Sequence, residues 1–416
     1  MRFFNTLQTW ARSSPKTFVF AAAVIVAIAV ALLSPADWSG GDFASFYDTV
    51  GSNIAAGAGI REGDGSFATC YPPGYPLYLA GLYRISAPLG VSKTNMIVAG
   101  NVLVTALTAV IVFVWAERLW PRWAMLAPAL WMSFPPALSF LARPSSETPF
   151  CCALVAALLL FWDALTGGRI FAAAEAGLLL GIATLIRPFA LGLPVVLAGF
   201  VLFAGTASMR SRMMRAAALM ACYLLTLGPW EMSMFRNTGK FAVVSTFGIR
   251  SVRDGLTFAV ESKGYREPQN LSPRVESAMR EFRARYSEMI SYGGIARVLA
   301  DIFRQNPAGV GELFVVKALR SWYATDSGRD ERMVGMVSAP FWLLILAASW
   351  IAFRRGGNAG LYASLSWTLI LYSWLMTISV LSIARYTTPA TAFALTIVPA
   401  VLPQKARRAE VLRAAA

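Results

Sequence analysis

The chain has 416 residues, 57% of them hydrophobic and only 14% charged, with a mean hydropathy of +0.56. A soluble domain carries roughly 25% charged residues, so this composition excludes a soluble enzyme and indicates an integral membrane protein. The net charge is +15 with no histidine, which removes His-ligated metals and the commonest general acid–base group.

Proton chemistry is thereby left to carboxylates, Tyr or Lys. Nucleic acid is not the partner that this charge selects, because Arg and Lys flank apolar runs, where they meet lipid headgroups and fix orientation. Of the 4 cysteines, Cys151 and Cys152 share one apolar run, Cys222 lies in another and Cys70 stands alone in a loop. No disulfide framework is indicated.

Crossing the hydrocarbon core takes about 20 apolar residues as helix. Runs of that order occur near 17–35, 95–116, 123–141, 148–165, 170–186, 189–204, 216–235, 337–353, 359–382 and 387–402, about ten spans in all. The first lacks a small-residue cleavage pattern and is expected to be retained rather than removed as a signal peptide. Alternate threading gathers Arg2, Arg12 and Lys16, Arg118 and Arg122, Arg169, Arg210, Arg212 and Arg215, Arg354 and Arg355, and the basic tail from Lys405 to Arg413 on one side. The positive-inside rule makes that side cytoplasmic, with both termini there, in a multi-pass plasma (inner) membrane protein. The opposite side receives short loops at Arg143, Arg187 and Arg385 and two long segments, 36–94 and 236–336. The whole, 1–416, is expected to form a single membrane-embedded domain. Residues 74–90 are expected to lie as a helix in the outer interface, since a span there inverts every later loop. Residues 43–55 place Phe43, Phe46, Tyr47, Val50 and Ile54 on one helical face.

Candidate chemistry follows in chain order. Asp42, in Gly41-Asp42-Phe43-Ala44-Ser45-Phe46-Tyr47, sits just beyond the first span; it suits both an N-cap and a general base, and the two roles are compatible. Asp48 is a second acid or part of a solvated face. Pro72-Pro73 fixes an extended entry to the next helix. Glu147 in Arg143-Pro144-Ser145-Ser146-Glu147 opens a helix, where the dipole favours it. Arg187, before Pro188, ends a span; its side chain either snorkels to headgroups or offers a planar fork to a phosphate. Pro229-Trp230 suggests a kinked helix end, with Glu231 reaching water or Arg236. Lys317 and Arg320 lie one turn apart beside Trp322-Tyr323, and Arg385-Tyr386 opens the last span. Residues 274–290 form a basic amphipathic helix with Val275, Met279, Phe282, Tyr286 and Ile290 on one face. Glu175, within a span, is expected to join a packing or polar network.

Taken in order, Gly41-Asp42 with Tyr47, Tyr71-Pro72-Pro73-Gly74-Tyr75-Pro76, Ser146-Glu147, Gly181 to Arg187-Pro188, Pro229-Trp230 with Arg236-Asn237, Pro307 with Lys317, and Arg385-Tyr386 with Pro389 resemble the GT-C superfamily. The branch they look like contains lipid A aminoarabinose transferases and protein O-mannosyltransferases. The resemblance implies an all-α polytopic fold with interfacial helices in the first external loop. It implies sugar transfer from a polyprenyl-phosphate donor to a lipid, glycan or protein acceptor at the outer face. Asp42 and Glu147 would be catalytic; Tyr47, Asp48, Tyr75, Arg187, Arg236, Lys317, Arg320, Arg385 and Tyr386 would bind substrate. No cofactor beyond the donor follows, and a divalent metal stays open because the His ligands of some relatives are missing. The chain departs from larger relatives in ending soon after Leu402, with no acceptor-recognition module expected. Two rivals remain, a flippase or transporter for polyprenyl-linked saccharides and a non-catalytic lipid-binding subunit. The gathering of ionisable residues at one outer level, rather than along a midplane path, favours the enzyme.

Overall fold

The computed structural model describes residues 9–34, 41–205, 207–239, 243–257, 271–325 and 330–403. Arg2, Lys405, Arg407, Arg408 and Arg413 lie outside these. The described chain is helical: α1 Pro15–Leu33, α2 Asp48–Ala55, α3 Gly74–Leu89, α4 Lys93–Leu119, α5 Leu126–Trp131, α6 Pro135–Leu138, α7 Glu147–Gly167, α8 Ile170–Ile186, α9 Leu193–Ala204, α10 Met209–Thr238, α11 Phe247–Thr257, α12 Pro273–Ala284, α13 Tyr292–Gln305, α14 Pro307–Arg320, α15 Glu331–Arg355, α16 Gly357–Ser379 and α17 Thr388–Ala394. Among the described residues 5 of these (α1, α4, α7, α15 and α16) are long and apolar enough to cross a membrane, and shorter apolar helices occupy Ile170–Ile186, Pro188–Ala204 and Thr388–Val401. This is the all-α membrane architecture that the hydropathy pattern anticipates.

Two expected spans take a different form. The run at 123–141 is broken into α5 and α6, because Pro128, Pro135 and Pro136 each lack an amide donor and force the chain to re-enter helix at a new angle. The run at 387–402 is α17 followed by a 3₁₀ segment, Leu395–Val401, and is buried from Thr388 to Ala400. It is a core element surrounded by protein, which explains why so short a helix suffices.

The main core runs through α1, α4, α7, α8, α15, α16 and the buried 388–400 segment. Helices α8 and α10 approach closely because Gly177 lets the Leu219 backbone in; a Cβ there would meet Leu219 O at 2.1 Å. A second, smaller core gathers Leu256, Val275, Met279, Phe282, Met289, Val298, Ile302 and Leu313 from α11 to α14. The expected amphipathic helix at 274–290 is thus shorter than its pattern. It stops at Ala284, a 3₁₀ turn over Tyr286–Glu288 shifts the phase, and Met289 is buried while Ile290 is 73% exposed. Glu175 also departs from expectation. It is exposed on the outside of α8 and joins no polar network among the described residues.

One end of the bundle is tied by cations on helix carbonyl ends, where the macrodipole favours them. Arg215 Nη1 donates to Ala164 O at 2.8 Å and Arg212 Nη1 to Leu202 O at 2.5 Å, while Arg118 pairs with Asp163. Trp120 Nε1 fastens α4 to Thr396 O at 3.0 Å. The opposite end carries the candidate site.

Candidate active site

At that opposite end three chain segments bring one carboxylate against two guanidiniums. Glu147 begins α7, and Ser145 Oγ donates to its Oε2 at 2.6 Å. Asn101, buried in α4, holds the preceding turn by donating to Leu141 O at 3.2 Å and Arg143 O at 2.8 Å. Arg187 follows the last turn of α8 and is extended, at φ −146° and ψ 126°, as the residue before a proline must be. That conformation swings its side chain off the helix axis and toward α7. Its Nη1 reaches Glu147 Oε1 at 2.5 Å and donates to Ser146 Oγ at 2.8 Å.

Arg385 arrives from a 3₁₀ turn pinned by Ala384 N donating to Ala324 O at 2.8 Å, and its Nε lies 3.5 Å from the same Oε1. The Tyr386 ring lies 5.3 Å from the Arg187 guanidinium and 5.2 Å from that of Arg385, and stacks on Phe189 at 5.8 Å. Such contacts with an aromatic face favour cations and hold both forks in register. The side chains are 6%, 14% and 29% exposed for Glu147, Arg187 and Arg385, so the carboxylate is enclosed and the cations reach toward the surface.

The Tyr-Pro-Pro-Gly motif is what seats the first loop on this cluster. Gly74 packs against the α8 C-terminus so closely that a Cβ would meet Leu185 C and O at 2.6 Å. The loop therefore lies directly beside Arg187. Tyr47 and Tyr75 are buried there with rings 5.0 Å apart. The Tyr47 phenol stays protonated well above its usual range: burial raises its pKa most, Arg187 opposes, and Asp42 and Glu147 add to the rise. One phenol thus lies in the fields of both acids and both arginines.

Asp42 itself is exposed and makes no side-chain cap. It accepts a hydrogen bond from Tyr71 Oη at 2.9 Å instead. The turns after it, Phe43–Tyr47, are π-helical, a widened form that recurs at functional sites. Burial, then the nearby Asp42 charge, keep the Tyr71 phenol protonated, so it acts as a donor to that carboxylate.

Other candidates are placed elsewhere. Asp48 accepts from Tyr83 Oη at 2.7 Å and sits 3.9 Å from Lys93 Nζ, tying α2 to α3 and α4. Arg236 is exposed in the last turn of α10. Lys317 is fully buried, with Nζ donating to Gly255 O at 2.7 Å. Arg320 forms a two-pronged pair with Glu331 at 2.9 and 2.8 Å. Among the described residues no group of three or more acidic or Cys side chains could hold a metal. Glu147, facing two guanidiniums, is electrostatically unsuited to a divalent cation.

Glu231 corrects one sequence expectation. Its Oε1 accepts from Val244 N at 2.6 Å rather than from Arg236, and Trp230 Nε1 donates to Val244 O at 2.8 Å. Val244 is held from both sides at φ 64°, an uncommon conformation for a β-branched residue. The turn it makes delivers Thr246 N to Thr69 O at 3.0 Å and stacks Phe247 on Tyr71 at 4.7 Å. Tyr71 stood in the sequence only as part of its proline-rich motif; Asn101 and Phe247 are the site-building residues that sequence reasoning missed. Of these only Asn101, a lone amide in an apolar run, carried a signal.

The solved structures that share this fold include the archaeal oligosaccharyltransferase AglB from Archaeoglobus fulgidus, in complex with an inhibitory peptide and a dolichol-phosphate, at TM-score 0.60 and 14% identity. The same organism's enzyme in the apo form matches at TM-score 0.57 and 12% identity. Both matches cover 98% of this chain and 52% of the other, so the chain spans about half the length of those structures. ArnT from Cupriavidus metallidurans bound to undecaprenyl phosphate matches at TM-score 0.45 and 13% identity over 92% of this chain and 77% of its own, too distant to argue from. No family model and no curated protein matches. Over nearly its whole length the chain therefore has the fold of part of the archaeal oligosaccharyltransferase.

Proposed function

We propose that this protein is a membrane glycosyltransferase that moves a sugar from a polyprenyl-phosphate donor to an acceptor at the outer face. The observation that carries it is the convergence of Arg187 and Arg385 on the Glu147 carboxylate, which brings together planar, charged forks suited to a phosphate. The dolichol-phosphate bound by the oligosaccharyltransferase of like fold supports a lipid-linked phosphate here. A sugar phosphate already carries a good leaving group, so the protein's task is to deprotonate the acceptor and to stabilise the departing phosphate. Asp42, exposed and oriented by Tyr71, acts as the base or acceptor-orienting group; Arg187 and Arg385 take the phosphate charge; Glu147 positions sugar hydroxyls. A single displacement inverts the anomeric carbon, by the two-carboxylate logic of glycoside hydrolysis.

Purified protein incubated with a panel of radiolabelled polyprenyl-phosphate sugars and lipid, glycan and peptide acceptors tests this. Transfer with inversion is expected from the parent, and Asp42→Asn is expected to lose it while still binding polyprenyl phosphate. Near-normal turnover in that variant removes Asp42 from the mechanism. Cysteine probes at Ser66 and Ser272 are expected to react from outside and one at Ser211 from inside; an outside-reactive Ser211 probe reverses the orientation.

A further inference from the structure

We propose that Glu231 is a positioning residue for acceptor activation: with Trp230 it clasps Val244 in a left-handed turn, and that turn places the part of the first loop from which Tyr71 holds Asp42. The proposal rests on the assignment of Asp42 above and adds the group that sets its place. The end of α10 presents two consecutive side chains to one residue of the returning chain. Glu231 Oε1 accepts from Val244 N at 2.6 Å, and Trp230 Nε1 donates to Val244 O at 2.8 Å. Both backbone polar groups of Val244 are thus taken by side chains, and its own side chain is fully buried. Its backbone needs all three holds. At φ 64° a β-branched residue is a genuine outlier, and such a conformation persists only where the surroundings over-determine it.

Glu231 is costly to keep here. Its Oε2 is buried and has no hydrogen-bond partner among the described residues, which is rare for a buried polar atom and calls for a reason. Packing supplies none, since an apolar side chain carries no such cost. The amide that Oε1 accepts from is the reason, because without that acceptor the strained turn loses one of its holds.

The clasp grips the first loop at alternate residues. Trp230 stacks on Phe67 with ring centroids 5.6 Å apart. Thr246 N and Oγ1 both donate to Thr69 O, at 3.0 and 3.2 Å. The Phe247 ring lies 4.7 Å from that of Tyr71, whose Oη donates to Asp42 at 2.9 Å. Each link is a single contact, so displacement of Val244 reaches Asp42 through Tyr71. The arginines at Glu147 are seated instead from the end of α8 and from the Ala384–Ala324 hydrogen bond. Loss of the clasp should therefore lower turnover and spare donor affinity.

The test compares kcat and donor affinity of detergent-purified protein, per folded molecule, with a polyprenyl-phosphate sugar and an acceptor that the parent uses. Glu231→Ala is expected to lower kcat about three- to tenfold, the scale of one hydrogen bond, with donor affinity unchanged. Glu231→Gln keeps the length and an acceptor oxygen and is expected to retain kcat within about twofold of the parent. Trp230→Phe keeps a ring against Phe67, removes the donor to Val244 O, and is expected to lower kcat a few-fold. A covalent clasp gives a second readout. The Thr69 and Thr246 Oγ1 atoms lie 3.4 Å apart, so Thr69→Cys with Thr246→Cys, in a Cys70→Ser background, should close a disulfide under a mild oxidant. That bond is expected to bring Glu231→Ala to the kcat of the equally cross-linked Glu231 protein, and reduction to remove the gain. A variant that stays slow when cross-linked overturns the proposal. Parent-like kcat in Glu231→Ala, or in Trp230→Phe should the first not fold, overturns it too, as does a fall in donor affinity that matches the fall in kcat. Glu231→Gln as slow as Glu231→Ala makes charge the working feature and overturns positioning. Full turnover in Asp42→Asn, where the clasp is intact, overturns instead the assignment beneath the proposal.

Discussion

Two guanidinium–carboxylate centres among the described residues differ in how the acid is shared. Arg320 and Glu331 pair with both prongs of the fork used, and Thr325 N adds a third contact to Oε1 at 3.3 Å. Glu147 is shared between Arg187 and Arg385, each touching the same Oε1. The two-pronged pair fastens α14 to the start of α15, and both of its side chains are buried. At the shared centre the cations open toward the surface. Burial of an arginine therefore does not by itself mark a ligand site; the proposed donor site is the centre whose arginines both converge on one acid and reach the surface.

The largest effect should come from breaking the two-pronged pair. Arg320→Met leaves the buried Glu331 without its two-pronged cation, which costs about 3–5 kcal/mol and should appear as a large fall in the unfolding midpoint in detergent. Adding Glu331→Gln to it should recover much of that loss, because the buried charge is gone. Donor affinity of whatever remains folded should match the parent. A selective loss of donor affinity would make this pair part of the site and erase the contrast.

At the shared centre the expected pattern is reversed. Arg187→Ala should lower donor affinity or rate about tenfold to a hundredfold, the scale of a lost charge-assisted bond of about 1.5–3 kcal/mol. Its unfolding midpoint should fall less than that of Arg320→Met, since Arg385 still faces Glu147. Arg187→Lys should restore only part of the affinity, keeping the charge and losing the planar fork. Titration with donor lipid checks both, and equal affinities across the series would leave these cations with headgroups alone.

Lys317 sharpens the contrast from a third side, as a buried cation with a backbone carbonyl for a partner. Burial pushes its pKa down to about 7. Between there and the ordinary Lys range near 10.4, the unfolded chain binds a proton that the folded chain does not. Stability therefore rises with pH across that window, and the cost is full below about 7. Lys317→Met should raise the unfolding midpoint at pH 6 and flatten its rise toward pH 9, where the variant lacks the bond to Gly255 O. A parent whose midpoint does not rise over this range would show that the amine stays charged.

How much of this was legible in the sequence depends on the scale of the signal. Long apolar runs and helical faces fixed most helices, because lipid and core burial impose them over many residues. The broken run at 123–141 was not legible as a break, since hydropathy does not register Pro128, Pro135 and Pro136. Glu147, Arg187, Arg385 and Tyr386 could be nominated as boundary residues, yet nothing in the chain said that they touch. Their meeting depends on an extended Arg187 before Pro188 and a turn pinned at Ala324, both tertiary facts. Arg320 looked equally suited to a phosphate, because its partner Glu331 lies beyond a loop and no helical spacing links them. Tyr71 was noted only as part of a proline-rich entry, and its bond to Asp42 spans 29 residues.

That bond gives the smallest effect and separates the two acids of the site. Glu147 is held by two cations and a serine, whereas Asp42 is exposed and accepts a side-chain hydrogen bond from Tyr71. Tyr71→Phe removes that bond and keeps the ring, which packs on Tyr47 at 4.9 Å and Phe247 at 4.7 Å. Water can replace a lost donor at an exposed carboxylate, so the net cost should be about 0.5–1.5 kcal/mol, a few-fold loss of turnover with donor affinity unchanged. Phe247→Ala should act differently, because it removes a contact that joins the segment after α10 to the first loop and leaves the Tyr71–Asp42 bond in place. If Tyr71→Phe lowers turnover and Phe247→Ala does not, Asp42 depends on the phenol as its orienting donor. If only Phe247→Ala lowers it, packing between the two segments sets the position of Asp42, and the hydroxyl is dispensable.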